Sequence, residues 1–190
     1  VTMVDPRDAL RTAAVKERVY YQTDTHWNNL GGFIAYTQLL DALHGHLSAL
    51  QPKPRIAFRS VIGRTAGGDL ATALSLSDLL PESNSWLVPI DSNRVTPVPI
   101  AFPGVELEKP PKATVIDDPR LPTAVVFRDS FSRDMSPMLS EDFRRLVFVR
   151  SPRVIPAILD LERPEVVILE IAERYLPKLV TGEDTSETGN

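Results

Sequence analysis

Three short apolar runs in the last third of the chain constrain its fold more than any other feature. They are TAVVF (123–127), RLVFV (145–149) and EVVILEI (165–171). Helical stretches separate them, one around Pro137 to Phe143 and one over VIPAILDLE, 154–162. A run without polar alternation is buried on both faces. Such strands, alternating with helices, form a parallel sheet. The pattern predicts βαβαβ with right-handed crossovers. The expected fold class is α/β, a three-layer αβα arrangement with a parallel central sheet.

The rest of the chain is less regular. Its 190 residues, 43% of them hydrophobic, suit one domain with a real core, here taken as 1–176. A weak helix is expected over Pro6 to Lys16, with Asp5 as cap and Pro6 in the first turn. Asn28 or Asn29 is expected to cap a stronger helix. Leu30, Phe33, Ile34, Leu39, Leu40 and Leu43 give that helix a 3.6-residue apolar stripe. It should end near Gly45, with Pro52 and Pro54 beyond. Residues 55–65 read as a strand, and GGDLATAL as a glycine turn into a short helix. Many of the 17 prolines fall between Pro52 and Pro122. They predict an irregular, β-rich, partly antiparallel excursion over about 52–122. The polar tail, 177–190, reads as disordered.

Composition excludes several functions. The net charge is −4 and no Lys/Arg-rich run appears, so a nucleic-acid footprint is not expected. No apolar run approaches the roughly 18 residues of a membrane span, and no signal-peptide pattern opens the chain. The absence of cysteine removes disulfides, thiolate zinc sites and a thiol nucleophile. The chain opens on Val1 rather than Met and reads as an excised or processed piece.

Two segments carry candidate chemistry. RDSFS, 128–132, follows the first apolar run and precedes a helix. In open α/β sheets, ligands bind beyond the carboxyl ends of the strands, so Ser130 stands where a nucleophile would. Backbone N–H groups just after it suit an oxyanion. The competing reading is that Asp129 or Ser130 caps the helix. The second segment is YYQTDTHWNN, 20–29. A serine needs a base, usually His, and the His needs an acceptor on its other nitrogen. In extended backbone residues i and i+2 point the same way, so Asp24 would lie beside His26. The competing readings are a turn cap at Asp24 or Thr25 with His26 packed under Trp27, and half of a metal site with His44 and His46. The last is disfavoured. His44 lies beyond the expected helix, over 20 Å away at about 1.5 Å per residue. No metal or cofactor is expected. Tyr20, Tyr21 and Trp27 are candidates to line a sugar groove, with core packing the commoner fate of such aromatics. Gly67-Gly68-Asp69 offers a backbone donor at Gly68 or, more simply, a turn capped by Asp69.

Together, TDTHWN before a helix and DSF after a parallel strand resemble the SGNH-hydrolase-like domain of the alginate O-acetyltransferase family. The resemblance spans about residues 1–176. It is strong at 20–33 and 124–133 and vague between 50 and 120. The order, Asp/His before Ser, matches that family rather than ordinary SGNH hydrolases. The resemblance implies an SGNH/flavodoxin-like fold, Ser130 as nucleophile, His26 as base and Asp24 as orienting acid. Arg128 replaces the glycine of the family's GDS block, and no Asn follows the third apolar run. Oxyanion or substrate contacts would then come from the Ser130 N–H, Arg128, Phe131, Tyr21, Trp27, Asn28, Gly68 or Arg174. Glu170 and Arg174 are expected as a structural ion pair. The implied activity is O-acetylation of a bacterial exopolysaccharide through an acetyl-serine. A carbohydrate acetylesterase and a non-catalytic polysaccharide-binding or scaffold protein are the alternatives. The resemblance further implies a polysaccharide acceptor, an acetyl donor supplied through a membrane acyltransferase, a periplasmic setting, and a further strand upstream of the chain.

Overall fold

The structure is a computed structural model that describes residues 1–177. Its contacts divide the chain into two compact units. One comprises Val1–Arg94 with Arg133–Asp142, and the other Val95–Ser132 with the chain from Phe143 on. The tail expected to be disordered lies, from residue 178, outside the described residues.

The first unit opens with helix α1 (Arg7–Ala14). Pro6 itself takes the cap position, and the Asp5 carboxylate accepts the Arg7 N–H at 3.1 Å. Helix α2 spans Asn29–His44, and the Asn28 side chain caps it by accepting the Gly31 N–H. Its buried face differs from the expected stripe. Gly31, Gly32, Ala35, Tyr36 and Leu40 are buried, whereas Leu30, Phe33, Ile34, Leu39 and Leu43 are partly exposed. The reason is close approach rather than bulk. A Cβ on Gly31 would collide with the Val19 carbonyl and Trp27, and one on Gly32 with the Asp134 backbone. Small residues let this face pack against chain that larger ones would hold away.

A 3₁₀ turn, Arg55–Ala57, leads into strand β1 (Phe58–Thr65). Helix α3 (Asp69–Ala73) follows, and strand β2 (Glu82–Pro89) pairs antiparallel with β1 along its whole length. Helix α4 (Ser136–Leu139) completes this unit, with Met138 and Leu139 fully buried.

The second unit contains a five-stranded sheet in the order β3-β4-β6-β5-β7. The strands are β3 (Thr96–Val98), β4 (Lys112–Val115), β5 (Thr123–Arg128), β6 (Arg145–Arg150) and β7 (Val166–Leu169). The apolar runs form β5, β6 and β7, with β5 parallel to both neighbours. The sheet as a whole is mixed, because two strands from the proline-rich excursion, β4 and β3, join beyond β6 in antiparallel sense. Val125, Phe127, Val147, Val149 and Ile158 of helix α5 (Pro156–Glu162) form a fully buried cluster that also takes in Phe102 and Ala113. Burying each such side chain contributes about 1.5–3 kcal/mol. Ser130 thus follows the middle strand of a rigid, three-stranded parallel core.

Candidate active site

In the first unit the YYQTDTHWNN segment is a tight loop rather than a strand. Tyr20 bridges to Trp27, the Tyr21 N–H donates to the His26 carbonyl at 3.2 Å, and Asn28 N–H donates to the Val19 carbonyl at 2.9 Å. Asp24 and His26 do meet, but through a turn. Asp24 Oδ1 accepts the His26 backbone N–H at 2.9 Å and lies 2.5 Å from His26 Nδ1. A carboxylate only accepts, so Nδ1 carries the proton and Nε2 is the basic nitrogen. Burial opposes ionisation of Asp24. The hydrogen bonds and charge of His26 outweigh it, and the Asp24 pKa falls below its usual value.

The loop is pinned from outside. Glu82, buried in β2, accepts the Gln22 N–H at 3.0 Å, the Thr23 N–H, and the Thr23 hydroxyl at 2.5 Å. Thr23 Oγ1 in turn accepts the Gly68 N–H at 2.9 Å. That bond commits the donor expected for an oxyanion at Gly68 to fixing the loop. Gly68, not Asp69, occupies the cap position of α3. The Asp69 carboxylate instead accepts from Thr25, from its N–H at 2.7 Å and from its hydroxyl. Asp24, His26 and Asp69 bring ligand atoms within 4.8 Å of one another, a spacing that suits a metal ion. His26 Nδ1 and Thr25 nevertheless already satisfy Asp24 and Asp69. His44 and His46, the other two candidate ligands, are exposed at the end of α2, where His44 Nδ1 meets the Leu50 carbonyl at 2.9 Å.

Of the other residues expected here, Tyr21 lines a cavity and Trp27 is 8% exposed in the core. Asn28 is a cap whose Nδ2 donates to the Arg18 carbonyl at 2.7 Å. The cavity, about 570 Å³, is walled by Asp24, Gly68, Trp86, Asn84 and Arg133 among others. Tyr21 is held there by its hydroxyl, which donates to Asp134 Oδ1 at 3.1 Å, with the Arg133 guanidinium over its ring. Burial, followed by the Asp134 charge, raises the Tyr21 pKa. The sequence did not mark Glu82, Asn84, Trp86, Arg133 or Asp134. The β2 burial pattern puts Glu82 and Asn84 inward, where a hydrophobic period would not find them.

In the second unit Ser130 is part-exposed in the turn after β5. Asp129 organises that turn. Its Oδ1 accepts the Phe131 N–H at 2.8 Å and its Oδ2 accepts the Ala172 N–H at 2.7 Å. Of the two candidate caps, Asp129 and Ser130, Asp129 thus takes the first N–H of the 3₁₀ turn Phe131–Asp134, and its second oxygen clips that turn to the loop after β7. Arg128 Nη1 donates to the Asp129 carbonyl at 3.1 Å, while its buried Nε finds no hydrogen-bond partner among the described residues. Desolvation and the neighbouring Arg150 lower the Arg128 pKa. The Arg174 guanidinium lies over the Phe131 ring, 5.3 Å from its centre. Glu170, expected to pair with Arg174, accepts the Asp129 N–H at 3.2 Å.

A serine turn after a parallel strand of an α/β sheet, with an oriented Asp–His pair earlier in the chain, defines an SGNH hydrolase-like domain. The chain belongs to the family described as SGNH hydrolase-like domain, acetyltransferase AlgX (ALGX), which matches residues 1–152. No curated protein matches the chain. Among solved structures, Bacillus cereus PatB1 with a sulfonyl adduct is similar at a TM-score of 0.70 and 13% identity, over 93% of this chain and 69% of that one. A DHHW family protein from Eubacterium siraeum aligns at 0.68 and 15% identity, over 88% of this chain and 63% of that one. The O-acetyltransferase domain of Pseudomonas putida AlgJ aligns at 0.54 and 20% identity, over 100% of this chain and 64% of that one. These likenesses establish the fold. The chain spans less than two thirds of the Eubacterium and Pseudomonas chains.

Proposed function

We propose that the chain is an O-acetyltransferase that acetylates a bacterial exopolysaccharide through Ser130, His26 and Asp24. The observation that carries this reading is the Asp24–His26 pair, with Nδ1 bonded to a carboxylate held in its ionised form. That arrangement fixes the tautomer a general base needs and stabilises the imidazolium formed when it takes a proton. Membership of an acetyltransferase family supports the choice of acyl group.

In the proposed reaction Ser130 Oγ attacks the carbonyl carbon of an acetyl ester or thioester donor. Its proton passes to His26 Nε2 and then to the leaving group as the acyl bond breaks. An acetyl-serine and a neutral His26 remain. A sugar hydroxyl next attacks the acetyl carbon, giving its proton to His26, which returns it to Ser130 Oγ as the serine departs. The cavity walled by Trp86, Tyr21 and Asn84 is our candidate for the acceptor, since an aromatic face and amides suit a pyranose. An extracytoplasmic setting and a membrane acyltransferase as source of acetyl groups follow the same reading. Among the described residues no helix is long and apolar enough to cross a membrane.

The test is turnover of a small acetyl ester, with and without oligosaccharide, by wild type and Ser130→Ala. Loss of turnover in the variant and acetyl transfer to the sugar are expected. A Ser130→Ala protein that retains wild-type turnover removes the triad. Ser130-dependent turnover that releases only acetate, with no acetyl on the sugar, makes the protein an esterase.

A further inference from the structure

We infer that Glu170 is a positioning residue for the nucleophile, whose carboxyl group clamps the Asp129–Ser130–Phe131 turn to the end of β7. The inference deepens the proposed reaction and rests on it for the role of Ser130.

Four hydrogen bonds build the clamp. The Glu170 N–H donates to the Phe127 carbonyl at 2.9 Å, which seats Glu170 beside the last residues of β5. Its Oε2 then accepts the Asp129 N–H at 3.2 Å. Asp129 answers with its own carboxylate, accepting from Ala172 on the Glu170 side and from Phe131 on the far side of the serine. Ser130 is thus bracketed by two residues whose amides are both held by carboxyl oxygens.

The Asp129 charge lies close enough to act on the Glu170 carboxyl. Asp129 receives two backbone N–H donors. Glu170 is part-buried by surface area, yet the protein packed around its carboxyl makes desolvation the leading cause of a pKa well above the usual value. The Asp129 charge adds to that rise, and a hydrogen bond to Asp129 favours the protonated form. Opposing this is Arg128, at the end of β5. It is itself desolvated and faces Arg150 at the end of β6, so it neutralises Glu170 incompletely. Arg174, on the segment after Glu170, lies over the Phe131 and Tyr175 rings. Burial and the Asp129 charge thus favour the protonated form of Glu170, while its Oε2 takes the Asp129 N–H. Raising the pH removes that proton, puts a charge into the desolvated clamp and loosens the turn.

The full chain is assayed as Glu170→Gln, Glu170→Ala and Ser130→Ala, with folding checked by circular dichroism. Gln keeps both the acceptor and the donor. Wild type should show an alkaline fall in kcat, and Glu170→Gln should hold wild-type kcat at neutral pH and lack that fall. Glu170→Ala should lose about 10- to 100-fold in kcat with little change in KM, the cost of a misplaced nucleophile. Wild-type kcat in Glu170→Ala, or an equal loss in Glu170→Gln, overturns the inference. A readout independent of turnover is the carbon-13 titration of the Glu170 carboxyl. It should fall well above the ordinary glutamate range, and titration within that range overturns the inference. That titration and the Glu170→Gln pH profile decide the matter if Glu170→Ala does not fold. If Ser130→Ala keeps its turnover, the acyl-transfer reading fails, and the titration alone then decides the clamp.

Discussion

Asp24 Oδ1 holds His26 twice, by the backbone N–H at 2.9 Å and by the ring Nδ1 at 2.5 Å. A single carboxylate oxygen therefore sets both the turn and the imidazole orientation. Asp24→Asn leaves the turn able to form but presents no anion to an imidazolium. It should lower kcat by about 10³- to 10⁴-fold with KM little changed. Steady-state kinetics on an acetyl ester check this, and a loss of less than about tenfold contradicts the role given to Asp24. Because the Asp24 pKa is lowered on folding, its contribution to stability is full above its unfolded pKa. That contribution is lost only as pH falls through the depressed folded value.

Gly68 tests how closely the loop is packed. Its φ is −74°, so no backbone strain requires glycine, but a Cβ there would overlap the Asp24 side chain. Gly68→Ala should therefore displace Asp24. A stability loss of about 1–3 kcal/mol is expected, the usual cost of overpacking, together with reduced kcat. Thermal unfolding and kinetics check it, and unchanged values in both would show that the loop has room to yield.

Asp142 offers a test of the first unit that is independent of catalysis. It is 6% exposed, and its pKa is raised from 3.8 to about 6, chiefly by burial. The Tyr36 hydroxyl, which donates to it at 2.8 Å, offsets only part of this. The native state therefore binds a proton more tightly than the unfolded chain. The stabilisation is full below about pH 4 and is lost as pH rises through about 6. The span corresponds to roughly 3 kcal/mol at most. Asp142→Asn should flatten the fall in melting temperature between about pH 4 and 6, as read by calorimetry. A variant whose pH dependence matches wild type would contradict this.

The parallel core was legible because burial on both faces leaves a signature in composition alone, as in TAVVF and RLVFV. The strands β3 and β4 were legible as short β-rich, partly antiparallel pieces among the prolines, but their place in the sheet was not, because β4 joins it by pairing with β6 and β3 by pairing with β4. In α2 the largest apolar residues misled, since Gly31 and Gly32 are buried by close approach. The Asp24–His26 pair was visible from its spacing, although the backbone that joins them is a turn and not a strand. Glu82 and Asp134 were invisible because their roles arise from Thr23 and Tyr21, residues far away in sequence. Glu170 was noticed for its distance from Arg174, while its partner is set by the register of β5 and β7.

The account stands most directly on whether acetyl is carried by Ser130. Whole-chain protein is mixed briefly with an acetyl ester, quenched in acid, digested and examined by mass spectrometry. The account predicts acetyl on the peptide containing Ser130, absent in Ser130→Ala and strongly reduced in His26→Ala. Turnover with no acetyl at Ser130, or acetyl that persists at full level without His26, would contradict it.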